Sequence, residues 1–113
     1  MFKGIRMNWK WIAGFYEGEG GAYFINGNSL RIDINQSYRP VLKMILDFMG
    51  SGHIYRKPMR GRKMHYQFTQ SGYSAAKIIE KLLPLLHHKE KIQQMKRALN
   101  GWEKRKNKRK IKT

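Results

Sequence analysis

The sequence predicts an α+β domain in which helices and antiparallel hairpins follow one another in the order α-β-β-α-β-β-α-α. Three observations predict it. Two short alternating segments flank the turn-forming run Asn26-Gly27-Asn28-Ser29, a second alternating pair follows it, and apolar residues at helical spacing precede, separate and follow these hairpins. At 113 residues there is room for one domain with one modest core, expected over 1–102, and a basic arm over 103–113.

The first helix is predicted from Trp11, Ile12, Phe15 and Tyr16, with Asn8 as its N-cap, and it dissolves into glycine at Gly18-Glu19-Gly20. Glu17 and Glu19 are two of only seven acidic residues in a chain of formal net charge +17. Glu19 falls at or just past the helix C-terminus, where the macrodipole is already negative and a carboxylate costs about 0.3–1 kcal/mol. A divalent cation reverses that sign, because carboxylate and free carbonyl are the hard-oxygen ligands that magnesium and calcium prefer.

Ala22 to Ile25 and Leu30 to Asn35 form the first hairpin, since asparagine and glycine in its turn accept positive φ. Alternation points Ile32 and Ile34 to one face and Arg31, Asp33 and Asn35 to the other. Pro40 opens a second helix through Met49, which Gly50 ends. The second hairpin pairs His53 to Arg56 with Met64 to Thr69 across the basic connection from Lys57 to Lys63. A third helix runs from Tyr73 to Leu83 and stops at Pro84, and a fourth runs from Lys89 to Leu99 and stops at Asn100-Gly101. Beyond Trp102 the tail has seven basic residues in eleven and no apolar periodicity, which predicts a disordered arm that tracks phosphates.

Lysine and arginine total 24, an imbalance that a polyanion relieves, so nucleic acid is the first partner implied. No apolar run of membrane-spanning length occurs and no signal-peptide core follows the start, which argues against a membrane role. Cysteine is absent, which removes disulfides and thiolate metal sites and fits an intracellular compartment; the four histidines lack zinc-like spacing. Gly14 and Gly18 lie four apart on one helical face beside Ala13, and each glycine costs a helix about 1 kcal/mol relative to alanine. Close approach of a second helix backbone offsets such a cost.

Ile12-Ala13-Gly14-Phe15-Tyr16-Glu17-Gly18-Glu19-Gly20 resembles the nine-residue signature of the LAGLIDADG homing endonucleases, with glutamate in both acidic positions. Ile34-Asn35-Gln36, Gly50-Ser51-Gly52 and Leu83-Pro84-Leu85-Leu86-His87-His88-Lys89 are similar as well, so the resemblance spans roughly residues 9 to 100. It implies the αββαββα fold of that family, with two hairpins forming a DNA-binding saddle and the signature helix at a two-fold interface. It further implies a homodimer that cuts both strands of a long, near-palindromic double-stranded DNA target, intron-encoded and housed in a bacterial or phage-infected cytoplasm or an organelle. Mg2+ is the implied cofactor, with Mn2+ substituting and Ca2+ supporting binding without cleavage.

Residue by residue, the resemblance makes Glu19 the catalytic metal ligand, with Gly18 beside it, and gives Glu17 a structural role. Gln36 and Lys89 match the polar active-site periphery, and Ile12, Ala13, Gly14, Glu17 and Gly18 the dimer interface. A twisted ribbon in the major groove presents alternate residues to base edges. Those are Tyr23, Ile25, Ser29, Arg31 and Asp33 in the first hairpin and Tyr55, Lys57, His65, Gln67 and Thr69 in the second, with Arg60, Arg62 and Lys63 in its loop. Phe24, Ile32, Ile34, Ile54, Tyr66 and Phe68 are the expected core face. Two other readings stay open: an RNA-splicing maturase or DNA-binding regulator that does not cleave, and a ribosomal or nucleoid protein, which explains the charge but not Glu17 and Glu19.

Overall fold

A computed structural model describes residues 6–58 and 64–111, with side chains through 106. The elements are α1 (Trp9–Glu19), β1 (Gly20–Ile25), β2 (Ser29–Gln36), α2 (Arg39–Met49), β3 (His53–Lys57), β4 (His65–Ser71), α3 (Gly72–Leu82), a 3-10 turn (Leu83–Leu85) and α4 (Lys89–Ile111). The α+β order read from the sequence is therefore the order of the fold. No helix among the described residues is long and apolar enough to cross a membrane.

Local chemistry accounts for most boundaries. The Asn8 side chain accepts from the Trp11 N–H at 2.8 Å and starts α1. Asn26 and Gly27 both take positive φ, 54° and 63°, and the Asn28 N–H closes the turn on the Ile25 carbonyl at 3.0 Å. Two successive left-handed residues make the primed turn whose twist matches the strands it joins. Gly50, at φ 78°, ends α2 in the left-handed conformation.

The four strands form one antiparallel sheet in the order β1-β2-β4-β3. Helices cover one face only. Ile32, Ile34 and Phe68 project there into a core that includes Ile12, Tyr16, Leu42, Ile45, Ile79, Leu82 and Met95. Phe24, Ile54 and Tyr66 pack against that core as expected. The other face is an uncovered platform whose rows follow from the register: Tyr23, Arg31 and Ser71; Gly21, Asp33, Thr69 and His53; Asn35, Gln67 and Tyr55; and His65 beside Lys57.

One element departs from expectation. The fourth helix does not stop at Leu99, and residues 103–111, expected to be a disordered arm, continue it. Its glycine is held in register by packing: a Cβ on Gly101 would lie 2.6 Å from Phe24 Cδ2, so the bare face of the helix is filled by the Phe24 ring. Trp102 is buried next in line, edge-on to Tyr73 at 5.3 Å, and Arg105 and Lys106 lie over the Trp102 and Tyr73 rings at 6.0 and 5.1 Å. These tertiary contacts override a local stop signal that the sequence carries in Asn100-Gly101.

Candidate functional site

The site is built where α1 runs out into β1. The Gly20 N–H closes the last turn on the Tyr16 carbonyl, and the chain passes straight from Glu19 into the sheet. Gly20 is required by packing, since a Cβ there would lie 2.3 Å from Tyr16 Cδ2. The Tyr16 ring is wholly buried beneath it, and its hydroxyl has no hydrogen-bond partner among the described residues. Burial, with Tyr23 and Asp33 adding to it, pushes the Tyr16 phenol well above its usual range.

Glu19 is exposed and makes no hydrogen bond or ion pair among the described residues, and Gly18 beside it is exposed as well. A free carboxylate next to the unbonded carbonyls of a helix C-terminus is a donor set of hard oxygens, which fits a divalent cation. No cluster of three or more histidines or acids that could hold a metal exists among the described residues. Among the described residues Glu19 is thus a lone carboxylate at this junction.

Glu17 has a different task. Its carboxylate accepts from the backbone N–H of His87 at 2.7 Å and from that of His88, tying α1 to the start of α4. Desolvation acts to raise its pKa, but those N–H groups, followed by the two imidazoles, outweigh it and hold the carboxyl below its ordinary value. Glu17 was expected at a subunit interface; its carboxylate instead accepts from the backbone of its own chain.

Lys89 is the first residue of α4, exposed and with no side-chain hydrogen bond or ion pair among the described residues. The lysine that reaches the α1–β1 junction is Lys91, whose ammonium donates to the Gly20 carbonyl. Gln94 follows it one helical turn on and accepts the Ala22 N–H at 3.3 Å. Sequence reading missed Lys91; the signal was its offset from Lys89, which turns it toward the sheet edge. Gln36 stands at the end of β2, where its side-chain oxygen accepts from the Ser37 N–H at 2.8 Å, the Ser37 hydroxyl and the Tyr38 N–H. Only its amide N–H groups remain free for other partners.

The expected interface set divides in two. Ile12 and Ala13 are buried in this chain's own core, at 0% and 2% exposure, and are not available to a partner. Gly14 and Gly18 are exposed, and a Cβ on either would meet nothing within 4 Å. Trp11 and Phe15, stacked at 5.3 Å, share that face at helical spacing and were overlooked because they also complete the apolar periodicity. Beside Gly14 lies a concavity of ≈ 440 Å³ lined by Lys10, Glu17, Pro84, Leu85 and His87.

On the platform, Tyr23, Tyr55 and Lys57 are exposed and Ile25, Ser29, Arg31, His65 and Thr69 half-exposed, as surface readers would be. Asp33 and Gln67 are not, at 3% and 8% exposure. Asp33 is buried because it is bonded: it accepts from Arg31 and from the Thr69 hydroxyl at 3.0 Å. Gln67 is buried in a central strand between Asn35 and Tyr55. Arg60, Arg62 and Lys63 lie outside the described residues.

No protein-family model matches the chain, and no curated protein does. Solved structures do. Over 89% of its length the chain is similar to 69% of the homing endonuclease I-CvuI in complex with its target in the presence of 2 mM Ca, with a TM-score of 0.67 and 25% identity. It is similar over 85% of its length to 71% of the homing endonuclease I-TnaI, with a TM-score of 0.65 and 20% identity. Over 75% of its length it is similar to 32% of the LAGLIDADG meganuclease I-AabMI bound to uncleaved DNA, with a TM-score of 0.59 and 24% identity. The fold is thus that of the LAGLIDADG homing endonucleases, and the motif resembling their signature lies on α1 and its exit into β1. The motif occurs once in the sequence.

Proposed function

We propose that the chain is a homodimeric, site-specific DNA endonuclease that makes metal-dependent double-strand breaks by phosphodiester hydrolysis. The observation that carries this reading is the pairing of a free Glu19 carboxylate with an open small-residue helix face in one element, α1. Packing that face on its symmetry copy through Gly14 and Gly18 would bring two Glu19 side chains together at one two-fold axis. The DNA complexes of I-CvuI and I-AabMI support the choice of DNA as the polyanion.

Glu19 and the Gly18 carbonyl would hold the Mg2+ ion. When bound, that ion supplies a lowered pKa for water and charge stabilisation at the phosphate and leaving oxygen. Lys91, held at the α1–β1 junction, places a cation beside the site and would offset negative charge developing on the scissile phosphate. The Gln36 amide and the Lys89 ammonium are the remaining donors assigned to water positioning and phosphate contact. The platform would seat in the major groove, with Tyr23, Ser29, Arg31 and Tyr55 directed at base edges.

The test is cleavage of a plasmid library of candidate target sites with Mg2+, Mn2+, Ca2+ or EDTA, using the wild-type chain and Glu19→Gln. Cutting is expected with Mg2+ and Mn2+ and absent with EDTA, and Glu19→Gln should lose cutting while keeping DNA affinity within about tenfold, since it lowers negative charge near phosphate. Cleavage by Glu19→Gln at the wild-type rate, or robust cleavage in EDTA, overturns the mechanism. Binding without cutting under all four conditions would favour a non-cleaving regulator.

A further inference from the structure

We propose that Arg31 reads a guanine in the major groove, end-on, and that Asp33 is the buttress that aims it and reads no base itself. This rests on the DNA-binding reading above. Arg31 stands on the open face of β2, between Tyr23 on one neighbouring strand and Ser71 on the other. Asp33, two residues on and therefore on the same face, accepts with one oxygen from the Arg31 Nε–H at 3.1 Å, and Nη2 lies 3.0 Å from the same oxygen in an ion pair. Its second oxygen accepts from the Thr69 hydroxyl at 3.0 Å, and its side chain is 4% exposed against 41% for that of Arg31. The carboxylate is thus spent inside the platform, while the guanidinium it holds faces out.

The donors left over define the ligand. Arginine has five N–H groups in a planar fork. Asp33 takes the Nε–H and faces Nη2 along one edge. One N–H on Nη1 and the outward one on Nη2 remain side by side at the far end of the plane, the second on Nη1 pointing to the opposite edge. Two parallel donors match the O6 and N7 acceptors of guanine; adenine offers an acceptor beside a donor, and cytosine and thymine lack the pair. A phosphate could accept the same fork. It is the poorer match, because the Asp33 charge neutralises Arg31 and would repel a phosphate, whereas base reading gains from a direction fixed in advance. Tyr23 contributes a wall: its hydroxyl lies over Gly21, the residue paired with Asp33, where a Cβ would be only 2.4 Å away.

The experiment is selection of bound sequences from a randomised double-stranded DNA library in Ca2+ by the full chain, Arg31→Ala and Asp33→Asn, followed by wild-type binding to the selected site with 7-deazaguanine at each guanine. The wild-type chain should select a site with an invariant guanine whose preference Arg31→Ala erases at that position alone, by roughly tenfold to a hundredfold. Asp33→Asn should weaken the same preference and leave other positions unchanged. Removing N7 from that guanine should weaken wild-type binding comparably and leave Arg31→Ala unaffected, a measurement that holds even if Asp33→Asn folds poorly. Should Arg31→Ala keep every base preference, lose affinity for all sequences alike and lower the salt slope by about one, Arg31 contacts phosphate and the inference fails while the DNA reading stands. A chain that selects no sequence overturns both.

Discussion

At the scale of single residues, the two glutamates of the motif differ only in what surrounds them. Glu19 faces open space at the end of α1, and Glu17, half a turn earlier, meets the N–H groups that precede α4. The second environment has a consequence in pH. Because the folded-state pKa of Glu17 is depressed, its contribution to stability is complete above the unfolded pKa of about 4.3 and is lost as pH falls through the folded value. Glu17→Gln keeps an acceptor oxygen and removes the charge. We expect the variant to be less stable than wild type near pH 7, by no more than about 1 kcal/mol given the screening at this site, and the gap to shrink as pH falls below the unfolded-state pKa. Urea denaturation at a series of pH values checks this; a gap constant down to acid pH would mean that shape, not charge, ties α1 to α4.

Among elements, α4 is the instructive case. A glycine inside a helix costs about 1 kcal/mol relative to alanine, so Gly101→Ala should stabilise α4 if propensity decided. The added Cβ would lie 2.6 Å from Phe24 Cδ2 and 2.9 Å from Cγ, close to the ring's anchored end, and such overpacking costs about 1–3 kcal/mol. Overpacking wins, and a lower urea midpoint with an unchanged slope is expected; a raised midpoint would show that α4 is not seated on Phe24. This also marks the limit of what the residues disclose in order. Caps, turn chemistry and alternation are local, and Asn8, Asn26-Gly27, Pro40 and Gly50 state their roles within a few positions. The continuation of α4 depends on Phe24 and Tyr73, which lie far away in sequence, and Asn100-Gly101 read alone points the other way. The platform behaves likewise: alternation put Asp33 on the open face, but its loss of exposure depends on Arg31 and Thr69 meeting it there. Ile12 and Ala13 fell on the wrong side of α1 because six apolar residues in eleven leave the inward stripe ambiguous until the sheet is in place.

For the whole molecule, the proposed dimer turns on the exposed Gly14 and Gly18 face of α1, which half-buried Trp11 and Phe15 share. Gly14→Leu should fill the space a second backbone would occupy, at a cost of roughly 1–3 kcal/mol or more per site, while leaving the monomer folded because nothing lies within 4 Å of that Cβ position. Sedimentation should find the wild type dimeric in solution or on DNA and the variant monomeric with its thermal stability retained. A wild-type monomer that makes double-strand breaks as a single chain would overturn the two-fold arrangement. The seam between α4 and β1 bears on how such a chain is made. Gln94 and Ala22 are 72 residues apart, and Lys91 and Gly20 are 71 apart, yet these pairs close the free edge of the first strand. During synthesis β1 emerges early and its protecting helix late, so the edge stays open to strand addition by neighbouring nascent chains until α4 clears the ribosome. A chain interrupted within α4 would thus fail first by aggregating, before any question of its activity arose.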